Sequence, residues 1–448
     1  MKKLIIFSLM ALLAGGFVGC KKDSYVALFD QLPQDRMSDS IKYVQKTLTS
    51  APNGWVAIMP TSFGGGYGFY MTFDEASNVT MYSDWSTAFA STAFKSQYRI
   101  KADQGASLSF DTYNYITELN DPDRSVRNGY GGDIDFIYDH TSGDSLIMLG
   151  KRYRQKLSLI KATAAQKAQY TSGAYATAIT NFANFFVNNK NAFIQLEDNT
   201  KIAIEPNFTT NLGAGKRITL TALSTSGAIS SATAKFALTV DQMAILDSGV
   251  NISALRFVKV AWKDATTMAI YTSTGKEYII NNSPAPILPL YMLMGVKYST
   301  LYSAFKTIYP GTSTAGATIL NYFHNNLNNA TATGGYSFNS GNIKLTWDLV
   351  NTRVTFNGFS SQNGGTSGWT TTITYKYTVD NSGVYKFTLY SAASGGYVAN
   401  IMTQLDAFLR NNSVKLDYYI DTTDPNKTVY GQMSSVETPT TAMTFVLQ

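Results

Sequence analysis

Residues 66–84 read GYGFYMTFDEASNVTMYSD, and this stretch decides the class of fold. Apolar residues recur at every second position from Tyr67 to Phe73, and again at Val79 and Met81 after the turn-forming residues 74–78. A period of two places these side chains on one face, because successive residues of a strand point to opposite faces of the sheet. The stretch therefore predicts an antiparallel β-hairpin with one buried face.

Similar alternation extends this hairpin into a meander. One amphipathic helix is expected over 35–49, where Met37, Ile41, Val44 and Leu48 have helical spacing. About eight strands are expected to follow, near 54–60, 66–74, 78–84, 96–102, 106–113, 133–139, 144–150 and 155–161. Eight strands with one apolar face each can bury that face by closing into a lipocalin-like barrel, whose interior is either filled with side chains or holds one small ligand.

The rest of the chain also has the pattern of antiparallel β-structure with packed helices. A helix over 164–188 begins this part, and three prolines mark a candidate subdivision near 284–297. Strands are expected at 192–197, 201–205, 216–223, 234–240, 255–263, 267–272, 276–281, 342–349, 352–358, 370–379, 383–391, 413–421, 427–433 and 441–447, and helices at 298–309, 316–327 and 397–410. The sequence thus predicts a mainly β (α+β) protein, with a helix and β-meander domain over 35–163 and a second β-rich region over 164–448.

The first 20 residues have the pattern of an export signal. Lys2 and Lys3 precede an apolar run from Leu4 to Val18, and Gly19 and Cys20 follow it. The run is shorter than the ~20 apolar residues that a membrane-spanning helix needs. Because the single cysteine of the chain lies where the signal ends, the segment resembles a bacterial lipobox. The alternative is an ordinary secreted protein with an incidental cysteine.

The lipobox resemblance implies a removed signal peptide, 1–19, and a lipid anchor on Cys20 at the start of a tether over 20–34. Several acyl chains hold a protein at a membrane essentially permanently. In the sorting rules of such lipoproteins, an Asp directly after the cysteine favours the inner membrane. Lys21 occupies that position here, so the resemblance implies the outer membrane, with the periplasmic and the surface face both open.

Composition and charge exclude several classes of protein. The 448 residues are 44% hydrophobic, which is typical of a folded chain and not of a disordered one. Lys and Arg number 36 against 30 Asp and Glu, a formal net charge of +6, and no block of five like charges occurs. This distribution is typical of a solvated surface, so no nucleic-acid partner is expected.

A set of short segments, taken in order, carries a likeness to a known family. The segments are Asn53-Gly54-Trp55, GFYMTFD at 68–74, VTMYSD at 79–84, SQYRI at 96–100, LSFDTYN at 108–114, GGDIDF at 131–136 and LGKR at 149–152. Over about residues 27–163 the chain resembles a Bacteroidota family of cell-envelope lipoproteins of unknown function, often encoded near transporter pairs of the starch-utilisation type. The resemblance implies an accessory envelope protein that helps to capture a nutrient, and it implies no catalytic residues.

Motifs for enzyme chemistry are missing from the sequence. His140 and His324 are the two histidines, each expected at the surface, and no Gly-x-Ser-x-Gly elbow occurs. Two histidines and an acylated Cys20 can hardly form a zinc site. We therefore predict a non-enzymatic protein without a cofactor.

Calcium is the metal whose ligands the sequence could most readily supply. Asp121, Asp123, Asp133 and Asp135 offer hard oxygen ligands around a glycine-rich loop. However, Val126 lies where an EF-hand loop opened by Asp121 needs glycine. An ordinary acidic turn is the preferred interpretation, and no metal site is predicted.

Aromatic residues give the candidate ligand site. Tyr82, Asp84 and Trp85 cluster at the end of a predicted strand, and Trp369 follows the glycine-rich loop 364–368. Sugar rings stack on the faces of Trp and Tyr, so these four residues are the candidate ligand-binding residues. The alternative is that the aromatics pack on their neighbours within the sheets.

Together these features favour a non-enzymatic outer-membrane lipoprotein that binds a nutrient, a glycan or a peptide, as an accessory component beside an outer-membrane transporter. One alternative is a structural or adhesive surface protein that contacts other proteins through exposed strand edges. The other is a hydrolase with two catalytic carboxylates, because 30 acidic residues always include suitable pairs.

Overall fold

The computed structural model describes residues 31–122 and 129–448. These residues form three antiparallel sheets in chain order, with helices between and around them. The α-helices are α1 Pro33–Thr49, α2 Thr87–Ser91, α3 Ala164–Thr171, α4 Ala174–Asn188, α5 Leu290–Leu293, α6 Thr314–Asn326 and α7 Thr403–Asn411, and 3-10 turns lie at Thr117–Asn120 and Ala399–Ile401. The predicted class is confirmed: mainly β, with an antiparallel barrel after an N-terminal helix and a second antiparallel β-rich region with packed helices.

The first sheet is a closed barrel of eight strands, each paired with its neighbour in sequence. They are β1 Trp55–Pro60, β2 Gly66–Phe73, β3 Asn78–Ser83, β4 Phe94–Ala102, β5 Ala106–Phe110, β6 Asp135–Ser142, β7 Ser145–Gly150 and β8 Lys156–Lys161. Pairing of Trp55 with Lys161 joins β1 to β8 and closes the N-terminal barrel. Closure leaves this sheet without an unpaired edge strand.

Side chains fill the interior of the N-terminal barrel. Residues at alternate positions of all eight strands pack into one buried cluster, to which β2 contributes Tyr67, Phe69, Met71 and Phe73. The two alternatives for the interior are thus resolved in favour of packing. Helix α1 packs against β4 and β5, and its Val44 and Leu48 belong to the same buried cluster. The indole of Trp55 donates a hydrogen bond of 2.9 Å to the Leu48 carbonyl near the end of the helix.

The second sheet has ten strands and follows α3 and α4. The strands are β9 Ala192–Gln195, β10 Lys201–Asn207, β11 Arg217–Leu223, β12 Ile229–Leu238, β13 Gln242–Ile245, β14 Val250–Ile252, β15 Leu255–Trp262, β16 Met268–Thr272, β17 Glu277–Ile279 and β18 Asn281–Asn282. Strands β17 and β18 are separated only by Ile280, yet β17 pairs with β16 at one end of the sheet and β18 with β9 at the other. The sheet therefore curls until its two ends meet.

Strand β2 packs against this sheet at unusually short range. A Cβ atom on Gly66 would lie 2.6 Å from the Phe236 carbonyl oxygen, and one on Gly68 would overlap the Leu238 carbonyl. Glycine is the residue that lets two backbones approach this closely. The N-terminal barrel and the ten-stranded sheet thus share one interface, along β2 and β12.

The third sheet is a second closed barrel of eight strands in simple sequence order. Its strands are β19 Thr300–Ala304, β20 Ser340–Asp348, β21 Arg353–Ser361, β22 Trp369–Val379, β23 Val384–Ser394, β24 Ser413–Ile420, β25 Val429–Ser435 and β26 Ala442–Leu447. Pairing of Leu301 with Leu447 closes this C-terminal barrel. All eight strands contribute to its core, together with Phe323 of α6 and Leu405 of α7.

The helix predicted over 298–309 is wrong. Thr300–Ala304 is strand β19, which pairs with β20 on one side and with β26 on the other. Leu301, Phe305 and Ile308 are spaced as on a helix, but ladder bonds to two neighbouring strands satisfy the backbone of a strand in this place. Tertiary pairing therefore overrides the local pattern.

Candidate functional site

Asp84 lies directly after β3, in the interface between the N-terminal barrel and the ten-stranded sheet. Its side chain is 0% exposed and pairs with the ammonium of Lys216, which is 3% exposed. The carboxylate also accepts hydrogen bonds from the backbone N–H of Gly68, at 2.9 Å, and of Leu238, at 2.7 Å. All of its donors come from within the chain, so Asp84 holds two sheets together and offers no oxygen to an external ligand.

Burial acts against both charges of this pair. It raises the pKa of the Asp84 carboxyl and lowers the pKa of the Lys216 ammonium, while the opposite charge of each partner acts the other way. The ammonium of Lys216 also lies 5.4 Å from the ring centroid of Tyr67 and 5.5 Å from that of Phe236. Buried charges are tolerated only when paired and hydrogen-bonded in this way.

The aromatic neighbours of Asp84 pack within the protein. Trp85 stacks on Tyr67 with ring centroids 5.2 Å apart, and it meets Tyr130 edge-on at 4.8 Å. Tyr82 lies 6.2 Å from Tyr70, whose ring stacks in turn on Tyr170 of α3. The structure therefore places Tyr82, Asp84 and Trp85 near one another but engages them in packing between elements.

Trp369 lies in a different setting, at one end of the C-terminal barrel. It is 41% exposed and forms one cluster with Tyr336, 37% exposed, Tyr397, 39% exposed, and the buried Phe338. The rings of Tyr336 and Tyr397 are 4.1 Å apart, and Trp369 lies 5.8 Å from Tyr397 and 6.0 Å from Phe338. We call these four residues the aromatic platform.

The platform residues come from three chain segments: the loop before β20, the start of β22 and the loop after β23. Asn339, after Phe338, donates to the Gln362 carbonyl at 2.9 Å and accepts from the N–H of Gly364 at 3.0 Å. These two bonds tie the loop before β20 to the loop before β22. Phe338 is 1% exposed and anchors the platform in the core of the barrel.

The same three segments carry no charge. Residues 325–343, 354–375 and 387–405 contain no Asp, Glu, Lys, Arg or His, although charged residues make up 15% of the chain. These segments therefore combine exposed aromatic rings with neutral polar groups. Other connections at the same end of the barrel do carry charges, at Lys306, Asp406, Arg410 and Glu437. Sequence reasoning found Trp369 but missed Tyr336, Phe338 and Tyr397, and the absence of charge from the segments around them is the signal that could have found them.

His324 is buried and not at the surface, so the expectation for this residue is wrong. It is 0% exposed on α6, and its Nε2 atom lies 3.1 Å from the hydroxyl of Ser303 on β19. Burial lowers the pKa of the imidazole to about 4. Ser303 is also 0% exposed, so this serine and histidine form a packed contact that a substrate cannot reach.

The aspartates considered for calcium are engaged separately. Asp133 accepts from the backbone N–H of Arg152 at 2.7 Å, while Asp135 pairs with Lys101 at 3.1 Å. Asp121 accepts from the hydroxyl of Tyr113 at 3.0 Å, and Asp123 lies outside the described residues. Within the described ranges no group of three or more His, Cys, Asp or Glu side chains is placed to hold a metal ion.

The anchor residue Cys20 and the signal segment 1–19 also lie outside the described residues. No helix in the described part of the chain has both the length and the apolar character needed to cross a membrane.

Comparison with known proteins gives one family. A search of curated proteins found no match to this chain. Residues 27–264, more than half of the chain, match the family described as "Domain of unknown function (DUF4302)", and these residues span the N-terminal barrel, the interface at Asp84 and most of the ten-stranded sheet. The chain therefore belongs to this family of unknown function, DUF4302.

Proposed function

We propose that this protein is a non-enzymatic lipoprotein of the outer membrane that binds a glycan on the aromatic platform, as an accessory component of a nutrient transport system. The observation that carries the proposal is the exposure of Trp369, Tyr336 and Tyr397 as one contiguous patch. Soluble proteins rarely leave several large aromatic rings exposed together unless the patch has a binding role.

Chemistry at the platform favours a sugar as the ligand. A sugar ring presents an apolar C–H face, which packs on an aromatic ring, and a rim of hydroxyl groups, which exchange hydrogen bonds with amides and hydroxyls. The platform offers both kinds of partner, because the exposed Thr370 lies beside Trp369. Gln362 and Asn363 lie in the same loop, where their side-chain amides bond to Ser337 and Ser367. The absence of charge from those segments favours a neutral ligand.

The binding test uses the chain from residue 21 onward, which retains every described residue. We expect it to bind at least one polysaccharide in affinity electrophoresis, and Trp369→Ala to weaken that binding about tenfold, which corresponds to about 1.4 kcal/mol. Tyr322→Ala is the matched control, since Tyr322 is an exposed aromatic of the same barrel, 38% exposed, outside the platform. Equal binding by the wild type and Trp369→Ala would remove the platform from the proposal.

The anchor is tested separately in cells. The lipobox at residues 1–20 supports acylation of Cys20. We expect a fatty-acid label to enter the wild-type protein and not Cys20→Ser, and the variant to leave the membrane fraction. An unlabelled wild-type protein would contradict the lipoprotein assignment without affecting the glycan test.

A third measurement tests the transport partner. The resemblance to lipoproteins encoded near transporter pairs supports such a partner. The wild-type protein, solubilised from membranes in mild detergent, is expected to co-purify with an outer-membrane transporter. Recovery of the protein alone, with its glycan binding intact, would leave the binding role and remove the transport role.

A further inference from the structure

A second polar groove lies on the ten-stranded sheet, away from the aromatic platform. One wall is helix α4 and the other is formed by the loop between β15 and β16 together with β17 and β18. The groove has a volume of about 980 Å³ and is open to solvent. We propose that it is a binding site for a neutral oligosaccharide, independent of the platform.

The helical wall presents a stripe of amide side chains. Asn181, Asn184 and Asn188 line the groove, and their spacing of three and four residues places them on one exposed face of α4. Asparagine is one of the poorer helix formers, since its side chain competes for backbone hydrogen bonds. Asn188 ends the helix, where asparagine is well tolerated. Asn181 and Asn184 lie inside it and weaken it, so a role outside the fold explains these two better than a role within it.

The opposite wall repeats this chemistry. Asn281 and Asn282, both exposed, line the groove from β18, and Thr266 and Thr267 line it from the loop before β16. An amide both donates and accepts hydrogen bonds, and so does a sugar hydroxyl. Two facing walls of such groups suit a ligand that carries hydroxyls on both edges.

The floor of the groove is aromatic. Trp262 and Phe185 both line it, and their rings meet edge-on with centroids 5.6 Å apart. An apolar floor between two amide walls matches a sugar ring, which has an apolar face and a polar rim.

Charge at the groove favours a neutral ligand. Among the described residues that line the groove, Asp264 alone carries a charged side chain. Its carboxylate accepts from the backbone N–H of Thr266 at 2.9 Å and of Thr267 at 2.8 Å, and these bonds lower its pKa to about 2. With a fixed negative charge and no lining cation to oppose it, the groove disfavours an acidic sugar.

The test is an array of neutral and acidic oligosaccharides with unrelated peptides, probed with the chain from residue 21 onward that also carries Trp369→Ala, so that the platform does not contribute to the binding. We expect binding to neutral sugars, and we expect the double variant Asn181→Ala, Asn184→Ala to weaken it at least tenfold. The same variant should melt at a higher temperature, because Ala is the better helix former. A loss of binding together with a gain in stability excludes misfolding as the cause.

Two matched variants make the outcome decisive. Thr180→Ala changes an exposed residue of the same helix that does not line the groove, and it should leave binding unchanged. Trp369→Ala removes the platform only, so a complete loss of neutral-sugar binding on that substitution alone would assign the binding to the platform and overturn the groove. No binding to any neutral sugar, binding to peptides in their place, or full binding by the asparagine double variant would also overturn the groove.

Discussion

The two barrels of this protein have the same topology but use their outer surfaces differently. Each closes eight antiparallel strands in sequence order around a filled interior. In the N-terminal barrel, the outer face of β2 packs against the ten-stranded sheet. Glycines and a buried ion pair lie in this interface. The C-terminal barrel instead draws helices α6 and α7 into its own core and leaves exposed aromatic rings at one end.

This difference shows which parts of a barrel are determined by closure of the sheet and which are not. Closure removes the edge strands of both sheets and fills both interiors, so it accounts for their folding. It leaves the outer faces and the ends to be used separately. In the first barrel the outer face serves assembly within the chain, and in the second one end carries the exposed aromatic platform.

The largest expected loss of stability comes from a substitution in the interface between the first barrel and the ten-stranded sheet. Asp84→Ala leaves the Lys216 ammonium buried without its partner, and we expect a loss of about 3–5 kcal/mol in the free energy of unfolding, measured by urea denaturation. Lys42→Ala is the control, because Lys42 is 76% exposed and pairs with Asp39 at 4.0 Å, so its loss should cost less than about 1 kcal/mol.

A double variant sharpens that test. Asp84→Leu combined with Lys216→Met removes both charges, so it should recover much of the loss of Asp84→Ala. A double variant no more stable than Asp84→Ala would show that the hydrogen bonds to Gly68 and Leu238 matter more than the charges.

A pH effect is expected in the second barrel. The pKa of His324 is about 4 in the folded protein against an ordinary value of 6.5, so the unfolded chain takes up a proton between these values that the folded chain does not. Stability should therefore fall as the pH falls from about 6.5 to about 4, by up to about 3 kcal/mol. Urea denaturation across this range should show a shallower fall for His324→Gln than for the wild type, and equal slopes would contradict the assignment.

Glycine substitutions compare a backbone contact on the outer face of the first barrel with side-chain contacts in the core of the second. Gly68→Ala places a methyl group against the Leu238 backbone, which cannot move aside, and we expect a loss of about 2 kcal/mol. Gly358→Ala in the second barrel faces the core, where the new Cβ atom would lie 2.9 Å from the sulfur of Met402 and 3.0 Å from the ring of Phe323. These are side-chain contacts, and the thioether of Met402 adapts more easily than a backbone carbonyl does. Thermal unfolding should rank Gly68→Ala as the more damaging, and the reverse order would contradict the close approach of β2 to β12.

The smallest expected loss of stability concerns helix α7, which packs in the core of the second barrel. The hydroxyl of Tyr375 donates to Asp406 of α7 at 2.7 Å, and Arg410 pairs with the same carboxylate. Tyr375→Phe removes one hydrogen bond and should cost about 1 kcal/mol. Hydrogen exchange of residues 403–411 should quicken in this variant, while exchange in α1 stays unchanged.

Sequence alone determined much of the first barrel. Strands β2 and β3 were predicted within one residue of their observed ends, because one buried face imposes a strict period of two. The helix at α1 and the strands β20 to β26 were also predicted close to their places, for the same kind of reason. Patterns of this sort depend only on neighbours along the chain.

The tertiary structure decided what depends on distant neighbours. Strand β19 has a helical sequence pattern but pairs with β20 and β26. Asp84 was predicted as a candidate ligand-binding residue, and the structure shows it paired with Lys216, 132 residues away. Trp369 could be named from the sequence, but its platform needed three loops that only the closed barrel brings together. Local periodicity records which face of an element is buried, whereas the partner that buries it is set by packing across the whole chain.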